Sequence, residues 1–205
     1  MIHANRRSLL LGAAALAFAL PAGSALAVDV TALHEPSAIG EMALGSDTAK
    51  VTIVEYASAS CPHCAAFHNE VFEPLKKEYI DTGKVRFLFR EFPHNEAGFA
   101  AFMIARCAPK DKYFPLVDVF FKTQKDWMQS PKDGLFKIAQ QAGFTQQSFD
   151  ECLKNETVAK GILDVRGKAE TFGVEGIPAF FVNGERYDGE NTFEAFKQKL
   201  DPLLG

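Results

Sequence analysis

The stretch from residue 50 to residue 80, KVTIVEYASASCPHCAAFHNEVFEPLKKEYI, places a strand, a Cys-x-x-Cys pair and a helix in immediate succession. Lys50 to Ala57 is a compact β-branched run and the strongest strand signal in the chain. From Ala65 to Ile80, Phe67, Val71, Leu75 and Tyr79 recur at steps of four, which predicts an amphipathic helix, kinked or restarted at Pro74. Gly83 stops that helix. Val85 to Phe92 (VRFLFREF) then predicts a second, largely buried strand. Strand, helix and strand together make a βαβ unit.

Downstream, residues from about 95 to 172 contain no convincing strand. Helical spacing recurs over Gly98 to Cys107, Lys112 to Trp127, Leu135 to Ala142, Gln146 to Lys154 and Val158 to Phe172, punctuated by Pro109, Pro131 and Gly143. Ala179 to Val182 (AFFV) returns as a strand, Asn183-Gly184 as a two-residue hairpin turn, and Glu185 to Tyr187 as the partner strand. Thr192 to Leu204 closes as a helix. Upstream, Val28 to Gly45 lacks periodicity apart from a short strand at Glu41 to Leu44. The expected fold is α/β, one domain over residues 28–205, whose βαβ and ββα halves resemble a thioredoxin-like core with an all-helical insertion at about 95–172. Two separate domains are disfavoured, because neither half has enough strands for its own sheet.

The 205 residues are 47% hydrophobic and 23% charged with a net charge of −4, enough apolar surface for a core and no basic tract for nucleic acid. Residues 1–27 read as a cleaved export signal: Arg6-Arg7, an apolar run from Leu9 to Leu20 too short to span a bilayer, and Ala25-Leu26-Ala27 as a small-x-small cleavage pattern. The twin arginine leaves two export routes open. A soluble periplasmic protein is expected, and an exported chain with four cysteines meets oxidising conditions.

Cys61 and Cys64 sit where a strand ends and a helix begins. There the orphan backbone N–H groups and the helix dipole favour a thiolate on the first cysteine, and the second can close a short disulfide. Cys61 is expected to be the exposed nucleophile and Cys64 the shielded resolving thiol. The bland alternative, half a zinc site, lacks a second Cys-x-x-Cys or a His pair, so no metal is expected. His63, if charged or donating toward Cys61, would stabilise the reduced form and make the pair an oxidant. A thiol moved from about 8.5 to near 4 would contribute about 4 kcal/mol at neutral pH, roughly 90 mV. Glu55 lies inside an apolar strand, where a carboxylate needs a task or a partner, and is expected to handle protons near Cys64. Cys107 and Cys152, in different helices, are expected to form a structural disulfide, with two free thiols or a second redox couple as alternatives. His34, His68 and His94 are spaced singly in different elements and are read as solvated or capping.

Glu55 six residues before Cys61, the Cys61-Pro62-His63-Cys64 tetrad, the helical insertion, and Gly176-Ile177-Pro178 before a Phe-rich strand resemble the DsbA family of exported thiol oxidases over essentially all of residues 28–205. The lead from Val28 to Ala49 is most similar to its short alphaproteobacterial branch. The chain departs from some relatives at Ser58-Ala59-Ser60, where they carry aromatics. The resemblance implies that Pro62 belongs to the catalytic tetrad, that Pro178 is a cis-proline facing the disulfide, and that Ile177 offers its backbone to an extended substrate. It also implies a monomer that donates its disulfide to folding exported proteins with free thiols and is recycled by a DsbB-like, quinone-linked membrane reoxidase, with no cofactor of its own. The alternatives are an isomerase or reductase of the same superfamily, for which residues 28–49 leave too little room for a dimerisation domain, and a metal-binding or chaperone module using the same cysteine pair.

Overall fold

The computed structural model describes residues 28–205, and the export signal read at residues 1–27 lies outside them. Five strands, β1 (Met42–Leu44), β2 (Val51–Ala57), β3 (Val85–Glu91), β4 (Ala179–Val182) and β5 (Glu185–Tyr187), form one sheet in the order β1-β3-β2-β4-β5. Central β2 runs parallel to β3, from Val51 opposite Val85 to Ala57 opposite Glu91, and antiparallel to β4, with Glu55 opposite Phe180. The parallel pair needs a crossover, which the helix after Cys61 supplies. Asn183 and Gly184 take φ of 50° and 87°, the left-handed pair that a two-residue hairpin between β4 and β5 requires.

Strand alternation sends the side chains of β2 into two cores. Val51, Ile53 and Ala57 pack with Phe87, Phe89 and Phe180 against the crossover helix and the helical insertion. Val54 and Tyr56 pack with Leu88 and Phe181 on the opposite face. Glu55 therefore points into the first core, and its relative exposure is 0%.

Helix α1 (Val30–His34) forms in a segment whose sequence shows no apolar period; its signal is the cap, Asp29 Oδ1 accepting from Thr31 N at 2.9 Å and Ala32 N at 3.1 Å. The crossover is a helical rod: α2 (Pro62–Phe67), a π-helical turn over His68–Phe72, one α-turn α3 (Glu73–Leu75), and a second π-helical turn over Lys76–Ile80. Pro74 therefore neither breaks nor restarts the helix. It lacks the N–H for a regular α-turn, and the backbone accommodates it between wider turns without leaving helical dihedrals.

The insertion comprises α4 (Glu96–Cys107), α5 (Tyr113–Lys122), α6 (Gln124–Trp127), α7 (Pro131–Gln141), α8 (Gln146–Leu153) and α9 (Glu156–Thr171), and α10 (Phe193–Leu204) ends the chain. The single helix expected over Lys112 to Trp127 is split at Thr123, whose φ of −109° and ψ of 18° leave the helical region while its hydroxyl donates to Val119 O at 2.8 Å. Helix α9 turns back over the second core with Val165 and Ala169, so helices cover both faces of the sheet.

Polar joints hold the layers together. Buried Glu91, at the end of β3, pairs with Arg106 of α4 and accepts from Tyr113 Oη at 2.6 Å, while Arg106 Nη1 donates to the carbonyls of Ile39 and Gly40 at 3.0 and 2.9 Å. Replacing Glu91 with Ala leaves the Arg106 guanidinium buried without its counter-charge, and urea unfolding is expected to show a loss of about 3–5 kcal/mol. Cys107 of α4 and Cys152 of α8 are bridged, with Cα atoms 5.9 Å apart and 45 residues of separation. On a loop-entropy basis the bridge contributes about 4 kcal/mol. The Cys107→Ala, Cys152→Ala double variant is expected to melt roughly 10 °C lower with the potential of the Cys61–Cys64 couple unchanged, as differential scanning calorimetry and a glutathione equilibrium would show.

Candidate active site

Cys61 caps α2 with an extended backbone (φ −84°, ψ 120°), and Pro62 occupies the first turn, where its missing N–H is not needed. Cys61 N donates to Ser58 O at 3.0 Å, and Cys61 O accepts from Ala65 N at 3.0 Å. The loop is also held from the insertion. Gln124, delivered by the break at Thr123, donates from Nε2 to Ala59 O at 2.8 Å and to Cys61 O at 3.0 Å. Ser58 and Ser60 are buried, their hydroxyls 3.1 Å apart, and Ser60 Oγ donates to Asn95 Oδ1 at 2.8 Å. Asn95 in turn caps α4 through Gly98 N. A Cβ at Gly98 would fall 2.5 Å from Ser60 Oγ, so glycine lets α4 approach the loop. These serines face inward, and the departure from aromatic relatives at Ser58-Ala59-Ser60 changes the joint beneath the loop, not its outer surface.

The two thiols sit in opposed environments. Cys61 is held down at about 6: the Cys64 thiol donates to it, which outweighs the cost of burial, and the backbone N–H groups of Cys64 and His63 and the charge of His94 add to the effect. Cys64, 0% exposed, is pushed far above the ordinary thiol range by desolvation first, then by its hydrogen bond to Cys61 and the negative charge of Glu55. Cys61 is less exposed than its spacing predicts, at 6%, because the segment before β4 shields it: Cys61 Sγ lies 3.7 Å from Ile177 O, and the Ile177–Pro178 peptide bond is cis.

Below this pair, Glu55 meets His68, with His68 Nε2 2.8 Å from Oε2 and 3.1 Å from Oε1. The imidazole stacks on Phe121 at 4.1 Å and 14° and touches Phe67, Phe72 and Phe89 edge-on or tilted. His68 opens the first π-helical turn, a local widening often found where a side chain has a task.

The structure thus brings Cys61, Pro62, His63, Cys64, Glu55, Ile177 and Pro178 to one end of β2, and leaves Cys107 and Cys152 apart in the insertion. His63 differs from expectation: its side chain is exposed and makes no hydrogen bond among the described residues, and only its backbone N–H reaches Cys61. His68 is not the solvated residue that its isolation suggests; it is buried against Glu55. His94 is exposed but contributes charge to Cys61. Gln124, Asn95 and His68 were beyond sequence reasoning because their partners lie 13 to 65 residues away. The one available signal was for His68, which follows Cys64 by four residues and so shares its helix face.

A sequence family described as Thioredoxin matches residues 37–202. A Rickettsia bellii relative provisionally named a protein-disulfide oxidoreductase is 36% identical over 177 residues, covering 78% of this chain and 68% of its own. Against five rickettsial relatives the chain spans 60% to 68% of their length. Disulfide bond formation protein D of Bacillus subtilis is 25% identical, with 83% of this chain and 80% of the other aligned. The crystal structure of Wolbachia pipientis alpha-DsbA1 superposes with a TM-score of 0.74 at 29% identity, covering 80% of this chain and 91% of that one. With a cysteine pair at the start of α2, a cis-proline segment against it and a helical insertion between the two halves of the core, the chain belongs to the thioredoxin family and, within it, to the DsbA-like protein-disulfide oxidoreductases.

Proposed function

We propose that this chain is an exported, periplasmic thiol oxidase that donates the Cys61–Cys64 disulfide to folding proteins. The observation that carries the reading is the placement of the two thiols, Cys61 at the start of α2 beside the cis Ile177–Pro178 peptide and Cys64 wholly buried one turn on, which favours a thiolate on the first and keeps the second protonated in the core. A substrate thiolate attacks Cys61 Sγ and the Cys61–Cys64 bond breaks, leaving a mixed disulfide on Cys61 and a thiolate on Cys64 that takes up a proton. A second substrate thiolate then attacks the substrate sulfur of the mixed disulfide and releases Cys61 as a stabilised thiolate. Two electrons pass from the substrate dithiol to the protein. Ile177, beside Cys61, presents backbone to which an extended substrate segment adds as a strand.

Direction follows from the anion's stability. With its thiol at about 6 in place of 9.0, the folded dithiol gains about 1.4 kcal/mol at pH 7, roughly 30 mV toward an oxidising potential. That is smaller than the shift expected from a charged His63 and comes chiefly from the Cys64 thiol and backbone donors. Reoxidation calls for an acceptor disulfide; a DsbB-like membrane reoxidase is the partner that the family resemblance implies.

Two experiments test this reading. Charged on Cys61 with glutathione by exposure to glutathione disulfide and then mixed with a reduced secreted protein carrying one free thiol, Cys64→Ser is expected to accumulate a mixed disulfide with that protein on Cys61 as glutathione leaves, whereas Cys61→Ser takes up no glutathione and donates nothing; adducts on the Cys61 variant would show the nucleophile to be another thiol. Thiolate absorbance near 240 nm, followed against pH in the reduced protein, is expected to titrate with a midpoint near 6. Cys64→Ala should move that midpoint upward by more than His63→Ala does, because the Cys64 thiol is the larger donor. The reverse order would restore His63 as the principal source of oxidising power.

A further inference from the structure

The N–H groups that steady a thiolate on Cys61 belong to His63 and Cys64, in the first turn of α2. Their aim depends on how the peptide after Cys61 is turned, and local sequence holds that peptide weakly. Cys61 has no side-chain cap bond, and Pro62 brings no N–H of its own. What holds it comes from 63 residues away. Gln124, 7% exposed, commits its side-chain amide to the loop, Nε2 donating to Ala59 O at 2.8 Å and to Cys61 O at 3.0 Å. Both protons of that nitrogen are then used. Without them Cys61 O keeps only Ala65 N, 3.0 Å away, among the described residues.

Gln124 is itself placed by packing inside the insertion. It begins α6, only four residues long, after the break at Thr123, and α6 is pinned at its other end by buried Trp127, whose Nε1 donates to Phe120 O at 2.8 Å. Helix α7 closes on that end. A Cβ at Gly134 would fall 2.6 Å from Trp127 Cα and 2.9 Å from Trp127 O, closer than a Cβ can stand to backbone, so α7 reaches α6 in this way only because residue 134 is glycine. Beside the joint lies a cavity of about 330 Å³, lined by Thr123, Asp126 and Trp127 from the α6 segment and by Gly134, Lys137 and Ile138 from α7. The joint is therefore not filled solid, and α6 has space to shift.

We propose that Gln124 is a positioning residue for thiol–disulfide exchange, and that the contact of α7 with α6 at Gly134 sets, through Gln124, how well the loop at Cys61 carries a thiolate. Gln124 donates to loop carbonyls and not to sulfur, so it acts through the backbone. Its two hydrogen bonds fix the peptide plane after Cys61, which keeps the N–H groups of His63 and Cys64 turned to the sulfur, and they offset the negative ends of two carbonyl dipoles in the loop that holds the anion. The insertion then acts on the potential of the couple as well as covering it. A shift of α6 withdraws the donors, and the dithiol loses stability against the disulfide. The inference rests on Cys61 being the nucleophile of the oxidase reading.

Thiolate absorbance near 240 nm, followed against pH in the reduced protein, reads this coupling through a double-mutant cycle. Gln124→Met keeps the length of the side chain and removes both donors. Its Cys61 midpoint is expected to rise by about 0.5–1 unit, the scale of one hydrogen bond lost to the charged form, and its equilibrium with glutathione to move several-fold toward the disulfide. Gly134→Ala touches no residue of the loop. Alanine is the better helix former, so α7 persists while the added methyl pushes on α6, and the midpoint should rise here as well. The double variant should match Gln124→Met alone, because the push then has no donors left to displace. An unmoved midpoint in Gln124→Met would overturn the positioning role and leave Gln124 a packing residue. An unmoved midpoint in Gly134→Ala, or additive shifts in the double variant, would overturn the path through α6. Should Gln124→Met fail to fold, Gln124→Asn keeps an amide one methylene too short for both carbonyls; it should raise the midpoint likewise, and an unmoved midpoint would again overturn the proposal. A titration near pH 6 that persists in Cys61→Ser would be a failure of the nucleophile assignment itself, distinguishable from all of these outcomes.

Discussion

The hydrogen bond from the Cys64 thiol to Cys61 Sγ sets the terms for the rest of the site. It is the largest cause lowering the proton affinity of Cys61 and adds to the burial that raises that of Cys64, so contact and burial together make a nucleophile and a shielded resolving group from two identical side chains. It forms because Cys61 is the cap of α2 and Cys64 lies one turn into it, facing the core. The cap geometry in turn requires that the loop from Ser58 to Cys61 hold its shape, since Cys61 has no side-chain cap bond of its own. Gln124 supplies two hydrogen bonds to that loop, and the Ser60–Asn95 contact ties it to the start of α4. The helical insertion thus supports the thiol pair as well as covering the sheet.

That dependence gives the buried polar groups a common logic. A carboxylate, an imidazole and an amide inside an apolar core each cost free energy unless paired. Glu55 is paired with His68, Gln124 with the loop carbonyls, and Glu91 with Arg106 and Tyr113. The first two groups lie against the cysteines, where they act on proton affinity and loop shape. The third lies at the C-terminal end of β3, opposite Ala57, and holds α4 and the lead segment to the sheet.

Much of this fold was legible in the chain. The β-branched run before Cys61, the steps of four after it, and Asn183-Gly184 each depend on neighbours in sequence, and the corresponding strands, helical rod and hairpin stand where those signals put them. Elements that depend on one capping side chain were not legible: α1 rests on Asp29, and the break between α5 and α6 on the Thr123 hydroxyl. The site divides in the same way. The cysteines and Glu55 announce themselves by residue type and position, and Pro178 through the family resemblance. His68, Gln124 and Asn95 acquire meaning only when the insertion folds back on β2. A residue between two thiols would be expected to point at them, whereas the helical start directs the His63 backbone N–H inward and its ring to solvent.

The central claim is that folding lowers the proton affinity of Cys61 and so stabilises the dithiol. A thiol whose folded value is depressed contributes stability that is fully present above its unfolded value, 9.0, and is lost as pH falls through about 6. The most direct measurement is urea unfolding of the reduced and the oxidised protein, side by side, at pH 8 and pH 5. The stability of the reduced form relative to the oxidised form is expected to fall by about 2.5 kcal/mol over that interval. A difference that stays constant from pH 8 to pH 5 would mean that Cys61 is an ordinary thiol in the folded protein, and would contradict the account.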